Sequence, residues 1–172
     1  TSDLGPLVKG CGLVKLDAQG ELEWARYFPG LVFGISAANF GNGAFLKELN
    51  DGYLICGNTS DQIVVLRLDE LGLLLQGHQL FVGTIDRYIV SRFGVYEGKV
   101  HINTRVREGP PTNYITSGSV YLVFDYESGE TLRRDFYDGM AIWDMEVDDD
   151  GSVYAMISDV LLEGGRLVKY LP

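Results

Sequence analysis

Apolar and polar positions alternate through most of this chain in short runs, and two recurring kinds of turn join the runs. The first kind is an apolar run ending in Asp, a turn ending in Gly, and a second apolar run. It reads Leu13-Val14-Lys15-Leu16-Asp17-Ala18-Gln19-Gly20-Glu21-Leu22, and again Val65-Leu66-Arg67-Leu68-Asp69-Glu70-Leu71-Gly72-Leu73-Leu74. A third copy, Tyr121-Leu122-Val123-Phe124-Asp125 followed by Gly129 and Thr131-Leu132, has one more residue in the turn, and Leu167-Val168-Lys169-Tyr170 begins a fourth. Between these copies lie hairpins with an acidic residue and Gly at the tip: Asp51-Gly52, Glu97-Gly98 and Asp150-Gly151. Period-two alternation broken by such pairs is a β-hairpin signal, because the positive φ of the turn suits Gly.

Two hairpins in every repeat of about 50 residues give a four-stranded unit, A-B around the acidic-Gly tip and C-D around the Asp-to-Gly turn. The pattern predicts a partial blade, C–D, over 12–28. One whole blade follows over 44–81, with strands 44–49, 53–58, 63–68 and 73–81. A second spans 88–137, with strands 88–96, 99–106, 119–124 and 130–137. A partial A–B–C blade covers 141–170, with strands 141–147, 152–157 and 165–170. The fold class is all-β, a β-propeller-like array of antiparallel blades amounting to about three blade-equivalents. Propellers close with roughly four to eight blades, so this array is an incomplete ring. Uncovered blades invite a partner. The chain is expected to be a segment of a larger propeller, to be completed by further copies of itself, or to pack against another protein. Its start at Thr1 and its end at Leu171-Pro172, inside a blade, favour the first expectation.

Composition narrows the partners. Twenty-two glycines, ten tyrosines and eight phenylalanines suit short strands and tight turns. A net charge of −10 repels phosphate, so neither nucleic acid nor an anionic membrane surface is expected as a partner. No apolar run reaches the roughly 18 residues of a membrane helix. Cys11 and Cys56 are a candidate disulfide in an oxidising compartment, and each also reads as a small buried strand residue. Asn58-Thr59-Ser60 matches a glycosylation acceptor.

Leu16-Asp17, Gly20 and Trp24, with Leu68-Asp69 and Gly72, carry a resemblance. A C strand ending in Leu-Asp, a Gly, and a D strand with Trp resembles the propeller repeats of secreted bacterial and archaeal proteins. It is similar to the repeats of pyrroloquinoline quinone-type propellers. The resemblance implies an extracellular, cell-surface or periplasmic location. It covers nearly the whole chain but specifies a blade, not an activity. Gln76 and Arg134 stand near where those repeats place Trp, and nothing matches the quinone or calcium ligands of the dehydrogenases, so no cofactor is expected.

Candidate chemistry is sparse. Asp17, Asp69 and Asp125 sit where an Asp carboxylate bonds backbone N–H groups of its own turn. Asp148-Asp149-Asp150-Gly151-Ser152 lacks the alternating spacing and terminal Glu of a calcium loop, and no metal site is expected. His78 and His101 have no convergent partners by spacing, and no nucleophile elbow is present, so no catalytic residue is expected. In a four-stranded blade the D–A and B–C connections open on one rim and the tight hairpins on the other. The longest connections, 31–42, 107–118 and 158–164, fall on the first rim. Long loops on a rigid scaffold are where binding residues concentrate. On that rim Arg87, Tyr88, Arg107, Tyr114, Trp143 and Asp144 are the candidate binding residues, because aromatic and arginine side chains dominate contact energies. The expected function is a non-catalytic binding or assembly module. The alternatives are a fragment of a propeller enzyme, or a structural subunit that assembles through its incomplete blades.

Overall fold

The computed structural model describes residues 10–29, 44–58, 62–80, 88–108, 115–160 and 165–170. Every regular element among them is a strand. β1 (Gly10–Leu16) and β2 (Leu22–Pro29) form a first, two-stranded sheet. β3 (Phe45–Leu49), β4 (Gly52–Asn58), β5 (Ile63–Leu68) and β6 (Leu74–Leu80) make a second sheet, hydrogen-bonded in chain order. β7 (Tyr88–Tyr96), β8 (Lys99–Glu108), β9 (Ile115–Asp125) and β10 (Thr131–Asp138) make a third in the same way. A fourth, three-stranded sheet holds β11 (Met140–Val147), β12 (Val153–Asp159) and β13 (Gly165–Tyr170). Every pairing is antiparallel. The array is therefore all-β, built of meandering blades in the order that two hairpins per repeat predict.

The turns form for the reason the sequence suggests. The Asp17 carboxylate accepts hydrogen bonds from the N–H of Gln19 and Glu21, at 2.9 and 2.8 Å. Asp69 does the same for Leu71 and Leu73, at 2.9 and 2.8 Å. In the longer β9–β10 turn, Asp125 accepts from the N–H of Glu127 and from both the N–H and the hydroxyl of Ser128. Those bonds hold its carboxyl below the usual range. Asp148 and Asp150 likewise accept from neighbouring N–H groups, so the acidic run is the β11–β12 hairpin turn.

The sheets stack face to face through three apolar layers. Cys11, Leu13, Trp24 and Phe28 of the first sheet cover Tyr53, Ile55, Val64, Leu66 and Leu68 of the second. The second sheet's other face, with Leu54, Cys56, Ile63, Val65 and Leu80, meets Val90, Val100, Ile102, Val120, Leu122 and Phe124 of the third. Tyr121 and Val123 of the third meet Ile142, Met145, Val153, Ala155 and Ile157 of the fourth. β5 is thus enclosed on both faces, which explains why it is buried throughout and apolar at all but one position. Its one charge, Arg67, is paired with Asp51 at 2.5 Å and donates to the Leu68 carbonyl at 2.9 Å. The first strands of successive sheets lie against one another, β3 with β7 and β7 with β11. No apolar layer joins the first sheet to the fourth among the described residues, so the ring is open there.

Side chains on the outermost strands lock the first and second sheets to the next sheet's C–D turn. Trp24 Nε1 donates to the Glu70 carbonyl at 3.1 Å, with its ring edge-on to Tyr53. At the equivalent position Gln76 Nε2 donates to the Glu127 carbonyl at 3.1 Å, and His78 Nε2 is bonded to the Tyr126 carbonyl at 3.1 Å. The third equivalent is Arg133 rather than Arg134. Pairing aligns Lys15 with Trp24, Arg67 with Gln76 and Val123 with Arg133, because the extra turn residue shifts β10 by one. Arg133 lies 5.6 Å over the Tyr121 ring and is paired with Asp135 at 2.7 Å.

Two further expectations are corrected. Cys11 and Cys56 are both free thiols. They serve opposite faces of the second sheet, Cys11 packing onto one and Cys56 belonging to the other, so the sheet itself separates them. Burial raises the pKa of both. β9 starts at Ile115, earlier than the predicted 119, which shortens the β8–β9 connection to 109–114. Gly118 makes this possible: a Cβ there would sit 2.5 Å from the Tyr137 carbonyl of β10, a contact glycine alone leaves open.

Candidate functional site

The third and fourth sheets meet through strands that carry the same irregularity. β7 pairs Val90 with Thr104 and Arg92 with Asn103, leaving Ser91 as an extra residue. β11 pairs Ile142 with Ile157 and Asp144 with Met156, leaving Trp143 extra. A bulge adds local twist and re-aims the side chains beside it. Here the two bulges bring the residues after them together. Arg92 Nε donates to Asp144 Oδ1 at 2.6 Å, and the Arg92 guanidinium lies 5.9 Å from the Phe45 ring. Asp144 Oδ1 also accepts from the Met145 N–H at 3.0 Å.

Trp143 is 46% exposed. Its indole N–H donates to the Ser158 hydroxyl, and the Arg105 guanidinium stands 5.3 Å from its ring. Burial first, and then the Arg92 charge, press the Arg105 pKa downward. Arg105 Nε has no hydrogen-bond partner among the described residues.

A buried polar shelf supports these groups. Asn103 Nδ2 donates to the Ile142 carbonyl at 2.8 Å and to the Ser91 hydroxyl at 2.5 Å. The Ile142 N–H in turn donates to the Ser119 hydroxyl at 2.9 Å. These bonds tie the backbone on the near side of the Trp143 bulge to the third sheet. Farther down the same face, His101 Nδ1 is bonded to the Tyr121 hydroxyl at 2.7 Å. Burial, followed by the charges of Lys99 and Arg133, lowers the His101 pKa to about 4, so the ring is neutral near pH 7.

Of the sequence candidates, Trp143 and Asp144 stand together in this cluster. Tyr88 and Arg107 take their places in strands, Tyr88 opposite Val106 and Arg107 opposite Thr116, and their side chains lie outside the described residues. Arg87 and Tyr114 lie wholly outside them. Arg92, Asn103, Arg105 and Ser158 were not anticipated. One signal was present: in β8 the apolar Val100, Ile102 and Val106 alternate with His101, Asn103 and Arg105, a polar stripe on a strand that has sheets on both sides. No family model matches this chain, and no curated protein or solved structure does.

Proposed function

We propose that this chain is a non-catalytic binding module of an exported, propeller-like protein, making protein or ligand contacts through the rim where the third and fourth sheets meet. The observation that carries this reading is the cluster of exposed Trp143, Asp144 and Arg92 with the half-buried Arg105, held on a buried hydrogen-bonded shelf instead of collapsing into the apolar layer. An aromatic ring, a guanidinium and a carboxylate on a rigid support are what interface hot spots use. Their bonding favours binding over turnover. Ser158 accepts from Trp143 and Asp144 is tied to Arg92, so these groups are committed to one another. The blade phrase supports an extracellular, cell-surface or periplasmic setting.

The chain has two tryptophans, and a Trp24→Phe variant isolates the emission of Trp143. Titrating that variant across arrayed peptides and glycans is expected to find compounds that change the emission. Asp144→Ala or Arg92→Ala is expected to weaken their binding at least tenfold. Binding indifferent to both substitutions, or turnover of a bound compound, would overturn the reading.

A further inference from the structure

We propose that a second copy of this chain covers the open face of the β1–β2 sheet with the open face of its own β11–β13 sheet, head to tail. The argument begins at equivalent residues. In each C strand the positions one and three before the turn Asp face the preceding sheet. In β5 these are Leu68 and Leu66, and in β9 Phe124 and Leu122, all buried, with Leu68 and Phe124 at 0% exposure. In β1 the same positions are Leu16 and Val14, and they are 54% and 56% exposed. Leu22, opposite Leu16 on β2, is open as well. This surface therefore has the composition of a blade interface and the exposure of a solvent face.

Among the described residues its strand positions also carry no charge. Alternation along the hairpin places Gly10, Gly12, Val14, Leu16, Ala25 and Tyr27 on it. Lys15 and Arg26 share the opposite face with Leu13 and Trp24, and Glu23 is paired with Lys15 at 2.8 Å. An apolar sheet face of the kind buried twice elsewhere in the same molecule fits another blade.

At the other end of the array the fourth sheet offers the matching side. Val153, Ala155, Ile157 and Val168 face the third sheet. The alternate positions face away, where Asp144, Glu146, Tyr154, Met156 and Leu167 line an open groove. Leu167 is 77% exposed and Met156 49%. This is the side that, in the first three sheets, packs onto the sheet that follows. The β1–β2 face receives a preceding sheet and the β11–β13 face receives a following one. The two are unlike, so a two-fold contact between identical faces does not reproduce the stacking. A head-to-tail contact does, and it continues the three layers already present with elements the chain itself supplies.

Sedimentation velocity of the chain over a concentration series tests this. Association above the 19.0 kDa monomer is expected, strengthening with added salt because copies of net charge −10 repel one another. Val14→Glu and Leu167→Glu each change an exposed side chain and are expected to keep the wild-type circular dichroism while leaving the protein monomeric. An equimolar mixture of the two variants keeps one intact head and one intact tail, so it is expected to form a dimer and stop there. A wild-type chain that stays monomeric, as it would if another protein covered these faces, overturns the proposal. So does assembly that survives both substitutions. Asp144 stands in both places, but Val14→Glu changes only the β1–β2 face, so ligand binding by that variant separates failure here from failure of the rim binding reading.

Discussion

Single side chains decide how these sheets hold to one another, and the Trp24 contact shows it best. Its indole occupies the space a side chain at position 72 would need: a Cβ on Gly72 would fall 2.7 Å from the ring, and φ there is +72°. Gly20 has a similar φ of +86°, yet a Cβ on it meets nothing within 4 Å. Gly20→Ala should therefore cost only the left-handed backbone penalty, about 1–2 kcal/mol. Gly72→Ala should cost that and displace Trp24 as well. Thermal melts of the two variants are expected to show the larger drop for Gly72→Ala, with blue-shifted Trp emission lost only there. Equal drops would mean the indole is not docked.

His101 makes a second prediction at this scale. Its pKa in the folded chain lies at about 4, below the ordinary 6.5, so the unfolded chain binds the proton more readily. Stability from this group is fully present above pH 6.5 and is lost as pH falls toward 4, by up to about 3 kcal/mol. Denaturant midpoints of His101→Gln should fall less over that window than those of the parent chain. Parallel pH profiles would show that the imidazole does not stay neutral on folding. The phrase marked Trp24 as part of a blade, but the carbonyl it reaches, Glu70, lies in the next copy of the turn and was not legible. Nor was the Arg92–Asp144 pair, since those residues are 52 positions apart and meet only through bulges in two sheets. The Arg133 position was missed by one residue because the longer third turn moves the register.

Elements were more legible than contacts. Each strand announces itself by alternation between Asp-to-Gly or acidic-Gly turns, and the hydrogen bonds at Asp17, Asp69 and Asp125 show why those turns recur. The early start of β9 escaped notice because Thr116-Ser117-Gly118-Ser119 reads as loop, being small and polar. Pairing on both sides, to β8 and to β10, overrides that local preference. The bulges at Ser91 and Trp143 also escaped, since an extra residue on one strand has no mark of its own in the alternation. Both bulges lie where the candidate site is built, which is where departures from regular pattern are expected to concentrate.

At the scale of the molecule, the open array follows from counting hairpins, while the character of its ends required the structure. The repeat says that blades are missing from a ring. Only burial shows that Leu16 and Val14 stand uncovered at positions where Leu68 and Leu66 are enclosed. Stability should be graded accordingly, highest in the strands with a sheet on either side. Strand-by-strand amide exchange of the whole chain, dilute and then concentrated, measures that gradient. The stacked order predicts slowest exchange in β5 and β9 at both concentrations, with β1, β2 and β13 fast when dilute and slowed when concentrated. Protection of β1 equal to that of β5 in the dilute chain would contradict it.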